Sequence, residues 1–164
     1  MSCCVAHAKI AATNVPDSSR RTTIHDLLDE ARRTLARLEP AEALEAQRSG
    51  ALLIDIRSSD DRRQDGCIAG TLHIPRTVLE WRLDPDAHPA YRNPHISGLD
   101  QRLVLVCSHG LSSSLAAATL QELGFTGATD LIGGFFAWRD AGLPVRSASH
   151  VAAAAVPGMG DPER

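Results

Sequence analysis

The sequence lacks several features that mark common classes of protein. No apolar run approaches the roughly 20 residues that span a bilayer. The first nine residues, MSCCVAHAK, lack the basic start and apolar stretch of a secretory signal. The formal net charge of −3 gives no basic field for nucleic acid. We therefore expect a cytoplasmic protein that binds neither nucleic acid nor a membrane.

Cysteine is also scarce, with four residues and no pair at C-x-x-C spacing. A reducing cytosol and these spacings argue against a disulfide framework. Cys3, Cys4 and His7 lie close together in the first segment, but closed zinc sites usually have four ligands. We expect this segment to be solvated and to hold no metal.

The length and composition suit one folded unit. A chain of 164 residues that is 43% hydrophobic and 23% charged can bury one α/β core but hardly two domains. Residues 1–22 and 147–164 contain Ala, Ser and Pro without periodicity and are predicted to be a disordered arm and tail. The folded domain is predicted to cover residues 23–146.

Strand and helix patterns alternate through that domain. Apolar residues at helical spacing predict an amphipathic helix over Thr23–Leu38, and Pro40 at a first helical position predicts a second helix that ends at Ser49-Gly50. The predicted strands are Ala51–Ile56, Thr71–Ile74, Leu103–Val106 and Ala128–Ile132. The alternation predicts an α/β fold with an open parallel sheet and helices on both faces.

A cysteine lies where the third predicted strand meets a loop. Residues 107–113 read Cys-Ser-His-Gly-Leu-Ser-Ser and are followed by an Ala-rich helical run. Loop amides and a helix N-terminus at this place stabilise an anionic sulfur without a basic side chain. Such surroundings lower a thiol pKa from about 8.5 to roughly 3.5–7.5. Cys107 is therefore predicted to be a nucleophile.

The composition of the loop supports this prediction over a buried structural cysteine, which is the usual interpretation of an isolated one. Hydroxyls of Ser108, Ser112 and Ser113 can donate to the sulfur, and Gly110 allows a backbone conformation that a Cβ would hinder. His109 can titrate near neutral pH and favour an anion when protonated.

Five segments between Glu39 and about Arg146 form a series of landmarks, which in chain order are Asp55-Ile56-Arg57, Gly66–Arg76, the Cys107 loop, Gly133–Trp138 and Gly142–Val145. Through these landmarks the chain resembles the single-domain rhodaneses, a family of sulfurtransferases. The segment Val78–Pro85 is also similar to a signature of a bacterial subgroup. The resemblance implies a rhodanese-like sheet of about five parallel strands.

The resemblance also implies a two-step reaction at Cys107. The thiolate would take a sulfane sulfur from a donor such as thiosulfate and hand it from a persulfide to a thiol or cyanide acceptor, with ping-pong kinetics. No cofactor is implied. The residues expected to hold the terminal sulfur are Ser108, His109, Gly110, Leu111, Ser112 and Ser113.

The chain departs from the family pattern at two places. Cys67 replaces the usual His of a Gly-His-Ile segment, and we expect it to have a structural role. The stretch after Asp55 is one residue longer than the common form, which brings Arg62 near a substrate-binding position of some sulfurtransferases. Trp138 is predicted to pack in the core.

The arginines around the predicted sheet edge have two expected roles. Arg57 is predicted to form a structural salt bridge with Asp55 or with the loop. Arg62, Arg76 and Arg82 are predicted to attract an anionic donor.

Two other functions remain open. Cys-dependent phosphatases and arsenate reductases end a similar loop with an Arg that grips the oxyanion, but Ser113 takes that place and no Arg occurs from Cys107 to Glu122. A sulfur-relay or regulatory module that serves a protein acceptor fits the uncharged loop better, because such a loop attracts thiosulfate weakly.

Overall fold

Four short parallel strands form the central sheet of the computed structural model, which describes residues 21–147. Their order across the sheet is β3-β1-β4-β5, and a separate antiparallel pair joins β2 to β6. The strands are β1 (Leu52–Asp55), β2 (Cys67–Ile68), β3 (Leu72–His73), β4 (Leu103–Val106), β5 (Ala128–Asp130) and β6 (Val145–Arg146). The α/β class is confirmed, with four strands in the parallel sheet instead of about five.

Helices cover both faces of this sheet because its central strands are apolar on both sides. In β4, Leu103 and Leu105 join one buried cluster, whereas Val104 and Val106 join the other. The helices of the described part are α1 (Ile24–Arg32), α2 (Pro40–Arg48), α3 (Ser59–Asp65), α4 (Leu79–Leu83), α5 (Ser112–Glu122) and α6 (Gly134–Asp140). Helices α4 and α5 contribute to the first cluster, and α2 and α6 to the second.

The first helix is shorter than predicted, and this is a correction of the sequence analysis. A capping box between Thr23 and Asp26 starts α1, which ends at Arg32 instead of Leu38. The chain then extends along β5: the N–H of Leu38 donates to the carbonyl of Asp130 over 3.0 Å, and the N–H of Ile132 donates to the carbonyl of Leu38 over 2.9 Å. The exposed edge of β5 needs hydrogen-bond partners, and this need overrides the helical spacing.

The other predicted helix and strands are present, but the strand predicted over Ala128–Ile132 ends at Asp130. Helix α2 begins with Pro40 as its first helical residue. Trp138 packs in the core at 1% exposure, and its indole N–H donates to the carbonyl of Pro144 over 3.1 Å. Cys67 is buried in β2 opposite Arg146.

The predictions for the two ends of the chain stay predictions. Residues 1–20, including Cys3 and Cys4, and residues 148–164 lie outside the described part. Within residues 21–147, no helix has the length and apolar character needed to cross a membrane.

Leu105→Ala should destabilise the fold by about 2–5 kcal/mol, because Leu105 is fully buried and truncation leaves a cavity. The matched control is Leu123→Ala, whose side chain is 41% exposed and whose loss should change the free energy of unfolding by about 0.5 kcal/mol or less. Urea denaturation measures both values. Equal losses in the two variants would contradict the packing described above.

Candidate active site

The candidate site lies at the carboxyl edge of the parallel sheet, where ligands bind in open α/β folds. Cys107 follows β4 directly, and Ile56 and Arg57 follow the neighbouring β1. A cleft of about 460 Å³ opens above this edge. Its lining residues are Ile56, Arg57, Ser58, Asp61, Cys107, Ser108, His109, Leu111 and Ser112.

Cys107 lines the cleft, and its sulfur is in contact with hydrogen-bond donors. The residue is 5% exposed. The N–H of Gly110 donates to Sγ over 3.1 Å, and the Ser113 Oγ lies 3.2 Å from Sγ.

Two opposing effects set the pKa of this thiol. Burial raises the pKa of Cys107, whereas hydrogen bonds from the hydroxyls of Ser112 and Ser113 and from the N–H groups of Ser113 and His109 lower it. The net pKa lies below the ordinary value of a thiol. Because the thiolate is the reactive form, these donors favour nucleophilic attack at neutral pH.

Backbone N–H groups at the start of α6 bind the loop that contains Cys107. The N–H of Phe135 donates to the carbonyl of Cys107 over 2.8 Å, and the N–H of Phe136 donates to the carbonyl of Ser108 over 3.2 Å. This approach requires glycine: a Cβ on Gly134 would lie 2.3 Å from the Cys107 carbonyl oxygen. The backbone of α6 therefore fixes the position of the loop relative to the sheet.

A buried carboxylate lies behind the loop, and the sequence analysis did not identify it. The Asp130 Oδ2 accepts hydrogen bonds from the hydroxyls of Ser113 and Ser114, each over 2.9 Å. The guanidinium of Arg37 binds Asp130 through two bonds, 2.7 Å to Oδ1 and 3.1 Å to Oδ2. One signal could have revealed it, because Asp130 is the one charged residue within the predicted strand Ala128–Ile132.

Arg57 forms the ion pair with Asp55 that the sequence predicts. Its Nη2 lies 2.8 Å from the Asp55 Oδ2, and it also donates to the carbonyl of Gly66 over 2.8 Å. The guanidinium carbon lies 3.8 Å from the centre of the Phe135 ring. Arg57 therefore ties β1 to the end of α3 and to the first turn of α6.

The three arginines predicted to bind substrate are directed elsewhere. Arg62 is buried and donates to Asp55 over 3.1 Å. Arg76 pairs with Glu80, and Arg82 donates to the carbonyl of Tyr91. None of the three lines the described cleft. Their role in substrate binding stays a prediction without support from this geometry.

The remaining loop residues lie at the mouth of the cleft. His109 lines it, with its ring centre 4.9 Å from that of Phe136. Leu111 also lines the cleft and is 51% exposed. Asp61 contributes a carboxylate to the rim, where it accepts a hydrogen bond from the Ser58 hydroxyl over 2.7 Å. The mouth of the cleft thus combines apolar surface with a negative charge.

A model of the rhodanese-like domain matches residues 39–141. This match covers more than half of the sequence, and the chain belongs to the rhodanese-like domain family. The family resemblance predicted from the sequence is therefore confirmed.

One named relative is similar in sequence, and two solved structures are similar in sequence and fold. The thiosulfate sulfurtransferase GlpE of Pseudomonas paraeruginosa is 35% identical over 106 residues, which are 65% of this chain and 86% of that protein. A solved protein of unknown function from Rhodopseudomonas palustris, described as a possible tyrosine phosphatase, is 36% identical with a TM-score of 0.70, over 80% of this chain and 99% of its own. The human single-domain sulfurtransferase TSTD1 is 28% identical with a TM-score of 0.52, over 63% of this chain and 95% of its own.

Gly134→Ala should displace the loop that contains Cys107, because the new Cβ would overlap with the Cys107 carbonyl. We expect alkylation of Cys107 to slow about tenfold, since small misplacements of a reactive group are costly. Gly142→Ala is the matched control: its φ of +70° is close to the +64° of Gly134, and a Cβ there meets nothing within 4 Å. The control should lose about 1–2 kcal/mol of stability from backbone strain and keep the wild-type alkylation rate. Equal rates in the two variants would contradict the contact.

Ser113→Ala should raise the pKa of Cys107, because it removes a hydroxyl that stabilises the thiolate. The midpoint of the pH–rate profile for iodoacetamide alkylation should move upward by about 0.5–1 pH unit. Ser114→Ala is the control, since its hydroxyl binds the same Asp130 oxygen and its variant should show a smaller shift. A larger shift in the Ser114 variant would mean that the Ser113 hydroxyl does not act on the sulfur directly.

Proposed function

We propose that this protein transfers a sulfane sulfur from a donor to an acceptor through a persulfide on Cys107. The observation that carries the proposal is the position of Cys107, which lines an open cleft and whose sulfur is in contact with the Gly110 N–H and the Ser113 hydroxyl. Membership of the rhodanese-like family and the similarity to thiosulfate sulfurtransferases support a sulfurtransferase of the rhodanese type.

The reaction has two displacement steps. The Cys107 thiolate attacks the outer sulfur of thiosulfate, a new S–S bond forms, and the bond to the sulfonate sulfur breaks so that sulfite leaves with its electron pair. Cyanide or a thiolate then attacks the outer sulfur of the persulfide, which releases thiocyanate or a new persulfide and restores the Cys107 thiolate. Each half-reaction needs only the cysteine as carrier, which is the basis of ping-pong kinetics.

The loop provides the environment for the transferred sulfur. Ser108, His109, Leu111 and Ser112 line the cleft beside Cys107. We assign them, with Gly110 and Ser113, to holding the outer sulfur of the persulfide, whose negative charge favours N–H and O–H donors. The cysteine pattern of the sequence fits a reducing compartment, and we place the activity in the cytoplasm.

A second candidate is a sulfur relay to a thiol of a protein partner. The rim of the cleft favours it, because it presents the exposed Leu111 and the carboxylate of Asp61. The one arginine among the lining residues, Arg57, is already engaged with Asp55. A dianion such as thiosulfate therefore gains little electrostatic attraction in this cleft. Binding of a thiol persulfide depends less on such attraction, so the missing positive charge weakens it less.

Phosphatase chemistry is not favoured, because no arginine ends the loop that contains Cys107 and Ser113.

Intact-protein mass spectrometry tests the proposal. After incubation with thiosulfate, the wild-type protein should gain one sulfur atom, and cyanide should remove it. Cys107→Ser should gain none, because its hydroxyl is a far weaker nucleophile at neutral pH. Cys67→Ser is the matched control and should load like the wild type, since Cys67 is buried in β2.

The outcomes separate the two candidates. Loading by a thiol persulfide but not by thiosulfate would favour the relay. Loading of the Cys107→Ser variant to the wild-type level would show that another residue carries the sulfur. No loading from either donor would refute sulfur transfer by this site.

A further inference from the structure

Two arginines that precede the matched family region contact the active loop, which is the loop of residues 107–113. The Nη2 of Arg32 donates to the carbonyl of Gly110 over 2.9 Å, and the Nη2 of Arg37 donates to the same oxygen over 3.1 Å. The hydroxyl of Ser114 lies 3.2 Å from it. Both arginines lie before residue 39, where the family match begins. The loop itself has no basic side chain except His109.

These bonds fix the orientation of one peptide unit of the loop. No described peptide bond is cis, and in a trans unit the C=O and N–H groups point in opposite directions. The Gly110 carbonyl faces the two guanidinium groups, so the N–H of Leu111 points away from them. The Gly110 N–H, on the preceding peptide unit, donates to the Cys107 sulfur. The clamp on the Gly110 carbonyl thus holds the backbone that surrounds the sulfur.

Arg37 also determines what the Ser113 hydroxyl can do. This hydroxyl has one hydrogen and two possible acceptors, the Asp130 carboxylate at 2.9 Å and the Cys107 sulfur at 3.2 Å. Two N–H groups of Arg37 and the Ser114 hydroxyl already bind the carboxylate. With Arg37 present, the carboxylate depends less on the Ser113 hydrogen, which can then also be shared with the sulfur. Without Arg37, the buried carboxylate would compete more strongly for that hydrogen, because unpaired buried charge is costly.

We propose that Arg32 and Arg37 are positioning residues for Cys107, which act by clamping the Gly110 carbonyl and, through Arg37, by holding Asp130. The segment from α1 to Leu38 is then a working part of the active site. This inference rests on the proposed function, in which the Cys107 thiolate is the reacting group.

The test is the pH dependence of Cys107 alkylation in the full chain, followed by peptide mass spectrometry so that Cys107 is read separately from the other cysteines. Arg32→Met should raise the midpoint of the profile by about 0.5 pH unit, and Arg37→Met should raise it by about 1 unit. Arg37→Lys should recover part of the shift, because it keeps the charge but loses the planar fork. Arg33→Met is the matched control: its side chain is 70% exposed and pairs with Glu30, so its midpoint should equal that of the wild type.

Thermal denaturation of each variant accompanies the measurement. Arg37→Met leaves Asp130 without its cation and can fail to fold, in which case Arg32→Met and Arg37→Lys decide. Wild-type midpoints in these two folded variants would overturn the inference, as would an equal shift in Arg33→Met. Sulfur loading of the wild type is measured in parallel. Shifted midpoints without loading would refute the proposed function alone, and loading with unshifted midpoints would refute this inference alone.

Discussion

A thiolate buried at the end of a strand must be stabilised by hydrogen bonds, because burial by itself favours the neutral thiol. The arrangement around Cys107 follows from this constraint. Donors converge on its sulfur from Gly110 and Ser113. Their positions depend on the first turn of α6, which holds the carbonyl oxygens of Cys107 and Ser108. The loop is thus fixed on one side by backbone amides, and on the other by the hydrogen bonds around Asp130.

Three arginines are divided between two buried carboxylates at the sheet edge. Arg57 and Arg62 share Asp55 at the end of β1. Arg37 pairs with Asp130 at the end of β5. Because each carboxylate ends a parallel strand, both pairs lie at the edge of the sheet that carries the cleft. Buried charges are costly unless paired, and this pairing keeps Arg57 and Arg62 from presenting free positive charge to a bound anion.

The sequence contains enough information to predict the local chemistry of the site but not its long-range contacts. Cys107, its loop and the strand before it follow from a short apolar run, a cysteine and a cluster of Ser and Gly, all neighbours in the chain. The contact between Arg37 and Asp130 joins residues 93 positions apart, and no periodicity indicates it. The expected substrate role of Arg62 rests on its position relative to the family pattern, and its partner Asp55 is evident only when β1 and α3 are packed together. Leu38 fits a helical pattern, but in the structure it is extended and forms a bridge with Leu131 at the edge of the sheet next to β5.

That bridge means that the folding unit and the family region have different boundaries. The family match begins at residue 39. Leu38, which forms the bridge with Leu131, is the residue just before it. A chain cut at this boundary would uncover the outer edge of β5, and it would lose Leu35 from the core cluster that contains Cys107. An unpaired strand edge is a template for association with other chains. Within the described residues, the segment from α1 to Leu38 therefore covers part of this edge, in addition to its contacts with the loop that contains Cys107.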